Sequence, residues 1–413
     1  GFINMKICVI CTGNELLKGA VVNTNLAYIG DRLTGIGMPP YECIVVPDST
    51  EDMTRAFNIA LQEADVVITS GGLGPTRDDM TRDIVCEALG LSMIRDPELE
   101  EMLLIRWAQF HPDRKPPEEL FNQAMRPAES VIMENKVGTA SGLWIEGEWH
   151  GEKKYVALLP GPPVELEPMV DQSLVLHLKS LPENPKHTLG VMLAGIPELM
   201  TQQQLEKKLQ PLVDIAYCAT PAGVKVYVSS EDMDNIHAAE KIIRGKYPAN
   251  ALPTGCFSIS LDVFRLLKEK DLSFVTAESC TGGMIAAEMT SYSGSSDFFL
   301  GGVVAYANEV KRDILDVPEE VLETKGAVSS ECVRHMVENV AAKFNADTAV
   351  AVSGIAGPGG GTDEKPVGLV YIGAKVNDRV EVGEYRFRGG RDMVRMRTVA
   401  EAYLLLRKLL LKV

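Results

Sequence analysis

Short apolar runs recur along this chain, each separated from the next by a segment whose apolar residues repeat at helical spacing. MKICVICTG (5–13) is followed by helix-compatible NTNLAYIGDRLTGIG (23–37), YECIVVP (41–47), a helical stretch over 51–63, ADVVITS (64–70) and helical MTRDIVCEALG (80–90). Parallel strands cannot be joined by a tight turn, so a helix-length crossover must return the chain to the same end of the sheet. The order therefore predicts βαβ units around a mostly parallel sheet. The alternation returns after residue 253, with strand candidates SFVTA, GGVVAYA, DTAVAVS, VGLVYIGAKV and VEVGEYRFR and a long helix over 391–412. One intervening helix carries Val333, Met336, Val337, Val340, Ala341 and Phe344 on a single stripe, with Ser329 or Ser330 as its cap. Residues 171–253, flanked by the loops SLPENPKH and YPANALPTG, read as a smaller α+β piece. The expected architecture is α/β: two three-layer α/β/α domains, 1–170 and 254–413, joined by a small α+β module over 171–253.

A length of 413 residues with 46% apolar composition supports two or three cores. No apolar run approaches the roughly 18 residues of a membrane span, and GFINMKICVICTG lacks the features of a signal peptide. The charge balance, 41 − 57 = −16, argues against a broad nucleic-acid surface while leaving room for a local basic pocket. Eight scattered cysteines read as reduced thiols of a cytoplasmic protein. Cys8 and Cys11 have redox or metal spacing, but they fall in a strand that would turn them to opposite faces, so a structural role is expected.

The chemistry concentrates in FVTAESCTGGMIAAEM (274–289), where a strand runs into a helix through Ser279. Unpaired amides from Cys280 to Gly283 would stabilise an oxyanion, and the glycines would let a substrate approach closely. A serine hydroxyl needs a base. The terminal block holds one histidine, His335, beside the apolar stripe of its own helix, which disfavours a Ser-His-Asp triad. Lysine is the next base to weigh. In GGVVAYANEVKRDIL, Tyr306 ends a strand and Lys311 lies on the following helix, so both can face the C-terminal edge of the sheet. A partly buried lysine loses proton affinity and takes a proton directly or through a phenol. The competing nucleophile, Cys280, would have its thiol raised by neighbouring Glu278, which favours a packing role. After the next strand, AVAVSGIAGPGGGTDEKPVG exposes glycine amides behind Ser353, and RFRGGRDMVRMRTVA gathers Arg386, Arg388, Arg391, Arg395 and Arg397. Three loops after three strands, plus arginines, point to a phosphate-bearing small molecule.

AESCTGG, YANEVK, GAVS and SGIAGPGGG…KPVG together resemble, in order and spacing, the C-terminal domain of the CinA (competence/damage-inducible) family across nearly all of 257–413. The resemblance implies metal-free hydrolysis of the carboxamide of nicotinamide mononucleotide to nicotinate mononucleotide and ammonia. It implies Ser279 as nucleophile, activated by Tyr306 and Lys311. Expected substrate contacts are Cys280, Thr281, Gly282, Gly283, Ser353, Gly354, Gly357, Gly360, Arg391 and Arg395. Residues 5–170 resemble the family's N-terminal, molybdopterin-binding-like domain through NTN (23–25), TSGGLGPTRDDMT (69–81) and LLPGPPVEL (158–166). That implies a nucleotide or pterin site at Asn23, Asn25, Gly71, Gly72, Gly74, Thr76 and Gly161. A divalent metal on Asp78 and Asp79 and an ADP-ribose pyrophosphatase activity are also implied. CTGNELLKG departs from the family pattern at Asn14, where a threonine is usual. A homodimer acting on small nucleotides is expected, with no nucleic acid or membrane partner; the contrasting reading is a non-catalytic nucleotide- or pterin-binding regulator.

Overall fold

Two α/β units make up the chain in the computed structural model, which describes residues 5–76, 79–181 and 186–413. The first comprises Gly1–Leu189 with Ser229–Asp232, the second Gly190–Val228 with Met233–Val413.

In the first unit a six-stranded sheet runs in the order Glu42–Val46, Ile7–Thr12, Val66–Ser70, Glu152–Leu159, Gly142–Trp149, Val131–Met133. The first four strands are parallel and the last two antiparallel. Both faces are covered. Ile7, Val9 and Cys11 pack with Ile29, Leu33 and Leu166, while Cys8 and Ile10 pack with Phe57, Leu61 and Val85. The two cysteines therefore lie in different cores, which removes any shared redox or metal role, and every cysteine of the chain is a free thiol.

The second unit is built on a five-stranded sheet ordered Phe299–Val304, Phe274–Glu278, Thr348–Gly354, Leu369–Val376, Arg379–Arg386. Its first three strands are parallel and the rest antiparallel. One face carries the helices Ile259–Glu269 and Arg391–Leu410, packed through Val263, Leu267, Tyr403 and Leu406. The other carries Ser330–Phe344, whose Val333, Met336, Val337 and Val340 form the expected stripe. The Ser329 hydroxyl caps that helix by accepting the Cys332 amide.

The compact units do not coincide with boundaries at 170 and 253. A continuous helical segment runs through Pro163–Met169, Val170–Leu174 and Val175–Lys179, so residue 170 lies within it. Met192, Ala194 and Leu252 share an apolar cluster with Tyr403 and Leu404 of the terminal helix. The buried Arg407 guanidinium fastens the same region, donating to Asp262 Oδ2 at 2.6 Å and to the Ala249 carbonyl at 2.8 Å. The segment between has its own three-stranded sheet, Asp214–Thr220, Gly223–Ser230 and His187–Ala194, with helices Glu198–Leu209 and Met233–Lys246, and meets the C-terminal unit's core at these residues.

Candidate active site

Register brings the chemistry together. Glu278 pairs with Val304 on one side and Val352 on the other, so Ser279, Ala305 and Ser353 all leave the C-terminal edge of three adjacent parallel strands. The Ser279 amide donates to the Val352 carbonyl and the Ala305 amide to the Glu278 carbonyl. A cleft of about 220 Å³ opens there, lined by Ser279, Lys311, Tyr306, Ser353, Gly354 and Arg391, with Cys280, Asn308, Ala327, Val328 and Ala356 completing its walls.

Lys311 is 1% exposed, and its Nζ lies 3.2 Å from Ser279 Oγ. The same nitrogen donates to the carbonyls of Ala305 at 2.8 Å and Tyr306 at 3.0 Å. Burial holds its amine below the ordinary lysine range, and the opposing influences of Cys332, Cys280 and Glu309 do not reverse this. A neutral amine has two N–H donors and one lone pair. Nζ has three oxygens within hydrogen-bond reach, and of these only the Ser279 hydroxyl carries a proton it could give up. Lysine thus reaches serine without a phenol between them. Tyr306 is 61% exposed, and its hydroxyl accepts from Arg391 at 3.2 Å at the cleft wall. Tyr306 lines the cleft with its phenol beside Arg391, and its backbone carbonyl holds Lys311 Nζ.

The turn that presents Ser279 is organised by Glu278, 1% exposed. Its carboxylate accepts the Thr281 hydroxyl at 2.6 Å and the amides of Gly283, Ile285 and Ala286 at 3.0, 3.1 and 2.9 Å. A buried carboxylate needs such donors, and here they are the amides a short helix would otherwise leave open. Gly282 donates to the Ser279 carbonyl, closing the turn, and its φ of 60° with the 98° of Gly283 suits residues lacking a Cβ. Of the amides expected to meet an oxyanion, those of Gly282 and Gly283 are therefore occupied. Those of Cys280 and Thr281 find no protein acceptor among the described residues. Thr281 is turned inward to Glu278 and away from the cleft.

Cys280 lines the cleft, but burial, aided by Glu278, pushes its thiol up to about 11 against the weaker pull of its own amide, Arg395 and Lys311. A neutral buried thiol is not the nucleophile. The two expected arginines diverge. Arg391 lines the cleft and donates to the Gly357 carbonyl at 2.8 Å, whereas Arg395 donates to the carbonyls of Cys280 and Thr281 at 3.2 and 3.1 Å. Gly357 contributes a carbonyl here, and Gly360 lies outside the cleft lining. Sequence reasoning did not single out Asn308, Ala327 or Val328, although the NEVK and GAVS stretches held them. It also missed Glu278 as the organiser of the turn; its signal was an acid at a strand end facing a run of helix-start amides.

In the first unit a second cleft of about 360 Å³ is lined by Thr12, Asn23, Asn25, Ser70, Gly161 and neighbours. Asn25 donates to Ser70 Oγ and to the Gly161 carbonyl, and Asn23 caps its helix by accepting the Leu26 amide. Among the described residues Asn23 Nδ2 finds no acceptor oxygen or nitrogen and Asn25 Oδ1 no donor, while the Asn23 side chain lies against the Cys11 thiol. Gly71, Gly72 and Gly74 lie outside this lining; their missing Cβ atoms make room for Thr12, Thr81 and Asp79. Asp79 accepts both the amide and hydroxyl of Thr76, acting as a turn cap. Asp78 falls outside the described residues, and among those described no three His, Cys, Asp or Glu side chains cluster to hold a metal.

Comparison with known proteins follows this division. Residues 257–410 match the family model described as "CinA C-terminal domain", and 8–180 match "Probable molybdopterin binding domain". A CinA-like protein of Akkermansia muciniphila is 39% identical over 400 residues, covering 95% of this chain and 91% of that one. A CinA-like protein of Thermosipho melanesiensis is 36% identical over 411 residues, covering 98% and 99%. With likeness running through both units and into the turn that carries Ser279, the chain belongs to the CinA (competence/damage-inducible) family.

Proposed function

We propose that the C-terminal unit is a carboxamide hydrolase that converts nicotinamide mononucleotide to nicotinate mononucleotide and ammonia. The observation that carries this is the contact of the buried Lys311 Nζ with Ser279 Oγ at 3.2 Å, with two backbone carbonyls fixing that nitrogen in place. Ser279 Oγ attacks the carboxamide carbon as its proton passes to Lys311 Nζ. The carbonyl oxygen becomes an oxyanion, for which the amide of Cys280 at the cleft wall is the candidate donor. On collapse the C–N bond breaks, and the leaving nitrogen takes the proton from Lys311 and departs as ammonia. Water then attacks the ester, gives a proton to Lys311, and the returning proton frees Ser279. The sum is carboxamide plus water to carboxylate plus ammonium. Arg391 at the cleft is the cation for the phosphate. Free cysteines throughout suit work in a reducing cytoplasm.

The test is ammonia release from nicotinamide mononucleotide without added metal, wild type against Ser279→Ala. Release by wild type alone supports the reading; equal release by both moves the nucleophile elsewhere. In the N-terminal cleft, the orphaned Asn23 and Asn25 amide atoms favour a separate binding role for a small polar ligand. Calorimetric titration with ADP-ribose, with and without magnesium, measures it, and no heat in either arm removes that ligand.

A further inference from the structure

The aliphatic side chains that line the cleft, Ala327, Val328 and Ala356, come from two separate loops. Ala356 belongs to the glycine-rich stretch after Ser353, whereas Ala327 and Val328 follow the short helix Glu319–Thr324. The glycine-rich loop is tied at its base, where the Ile355 amide donates to the Leu369 carbonyl and the Gly368 amide to the Ile355 carbonyl. Further along, the Thr362 amide donates to the Lys365 carbonyl and the Thr362 hydroxyl accepts the Lys365 amide, a turn that presents the lysine. Lys365 Nζ then donates to the carbonyl of Lys325, 40 residues earlier in the chain, at 2.5 Å. That carbonyl lies just past the helix end, where carbonyls lack intrahelical partners and a cation is favoured. Gly326 comes next. A Cβ there would stand 3.1 Å from Lys365 Nζ, on a backbone with φ of 78°, so glycine leaves the lysine its path. The Ser329 hydroxyl donates to the Gly326 carbonyl at 2.8 Å and holds the far side of the Ala327–Val328 pair. Lys365 itself lies outside the cleft lining.

We infer that Lys365 is a positioning residue that clamps these two loops together, so that Ala327, Val328 and Ala356 form one apolar wall for the flat ring of the substrate. This rests on the amidase reading of the site. Ser279 and Lys311 take the reacting carboxamide and Arg391 the phosphate, which leaves the aliphatic wall as the surface for the ring. Such a wall holds substrate, transition state and product alike, so a residue behind it acts on binding rather than on the chemical step.

Lys365→Met and Lys365→Arg test the clamp. In Lys365→Met, affinity for the product nicotinate mononucleotide, measured by titration, should fall about tenfold, the size of one lost apolar pocket contact. KM for nicotinamide mononucleotide should rise by a like factor, while kcat stays within about threefold and the ascending pH limb set by Lys311 keeps its position. Lys365→Arg keeps a donor for the Lys325 carbonyl and should recover most of the affinity. A lysine that touched the phosphate directly would give the same first result, so the titrations are repeated at about 1 M salt, where exposed charge pairs are screened and a hydrogen bond to a carbonyl is little affected. A wild-type-to-Met ratio that persists supports the clamp; one that collapses to about twofold or less makes Lys365 a phosphate ligand and overturns it. Product affinity within about twofold of wild type at low salt, or a kcat lowered about tenfold with affinity intact, overturns it too. So does a melting curve that shows Lys365→Met partly unfolded at the assay temperature, because the lysine then supports the whole unit rather than the wall. Wild type that binds nicotinate mononucleotide yet releases no ammonia from the amide overturns the amidase reading and leaves the clamp to the titration. Wild type that does neither overturns both.

Discussion

Lys311 decides the chemistry, and its surroundings state in which form it acts. Burial favours an amine that gives up its proton below the ordinary lysine range. The neutral form is the base, so the sign is fixed: ammonia release rises with pH through the lowered lysine value. A rate–pH profile should show that ascending limb below 10.5, the unperturbed lysine value. Lys311→Met should lose the limb and about 100- to 10,000-fold in kcat, while product affinity holds. Cys280 gives the converse expectation. With its thiol pushed up to about 11 and its side chain buried, iodoacetamide at pH 7 should leave the rate unchanged over the time that modifies exposed Cys218. Rapid inactivation tracking alkylation of Cys280 would refute that.

The turn that presents Ser279 leads into a seven-residue helix, Met284–Thr290, whose entry Glu278 satisfies. A helix this short has little stability of its own and depends on its capping contacts and packing. Glu278→Ala strands one hydroxyl and three amides in the interior, which should cost on the order of 3 kcal/mol of stability. Glu278→Gln keeps the shape and an acceptor, and should cost less while still slowing turnover. Thermal unfolding followed beside the kinetics separates the two effects; a Glu278→Ala protein as stable as wild type would mean the carboxylate is dispensable to the turn.

At the scale of the whole molecule, the terminal helix holds the second unit together by crossing from the active-site turn to the segment near Ala249. Arg395 acts near its start and Arg407 near its end. The Arg407–Asp262 pair is almost wholly buried, so removing one partner leaves the other as an uncompensated charge. Arg407→Ala should therefore cost roughly 3–5 kcal/mol. Trp107, Trp144 and Trp149 all lie in the first unit. The loss is thus expected as an earlier transition in far-UV circular dichroism on urea unfolding, with the tryptophan emission transition in place. Transitions that move together would contradict that assignment.

Periodicity and residue type carried the architecture. Helix-length crossovers between apolar runs require a parallel sheet, and the loops that follow SFVTA, GGVVAYA and DTAVAVS point to one shared site. Serine at a strand-to-helix turn and the lack of a usable histidine pointed to lysine by elimination. What only the tertiary structure decided concerns directions and partners. The Tyr306 phenol goes to Arg391 while its carbonyl takes Lys311. Glu278 consumes amides that the sequence leaves open, and Arg395 turns under the loop that Arg391 faces across. Residues 190–253 join the C-terminal core largely through Met192, Ala194, Leu252 and the carbonyls that Arg407 binds. The physical reason is common to all four. Backbone pattern is local and repeats along the chain, whereas a long side chain with several rotatable bonds settles wherever a buried partner, distant in sequence, completes its hydrogen bonds.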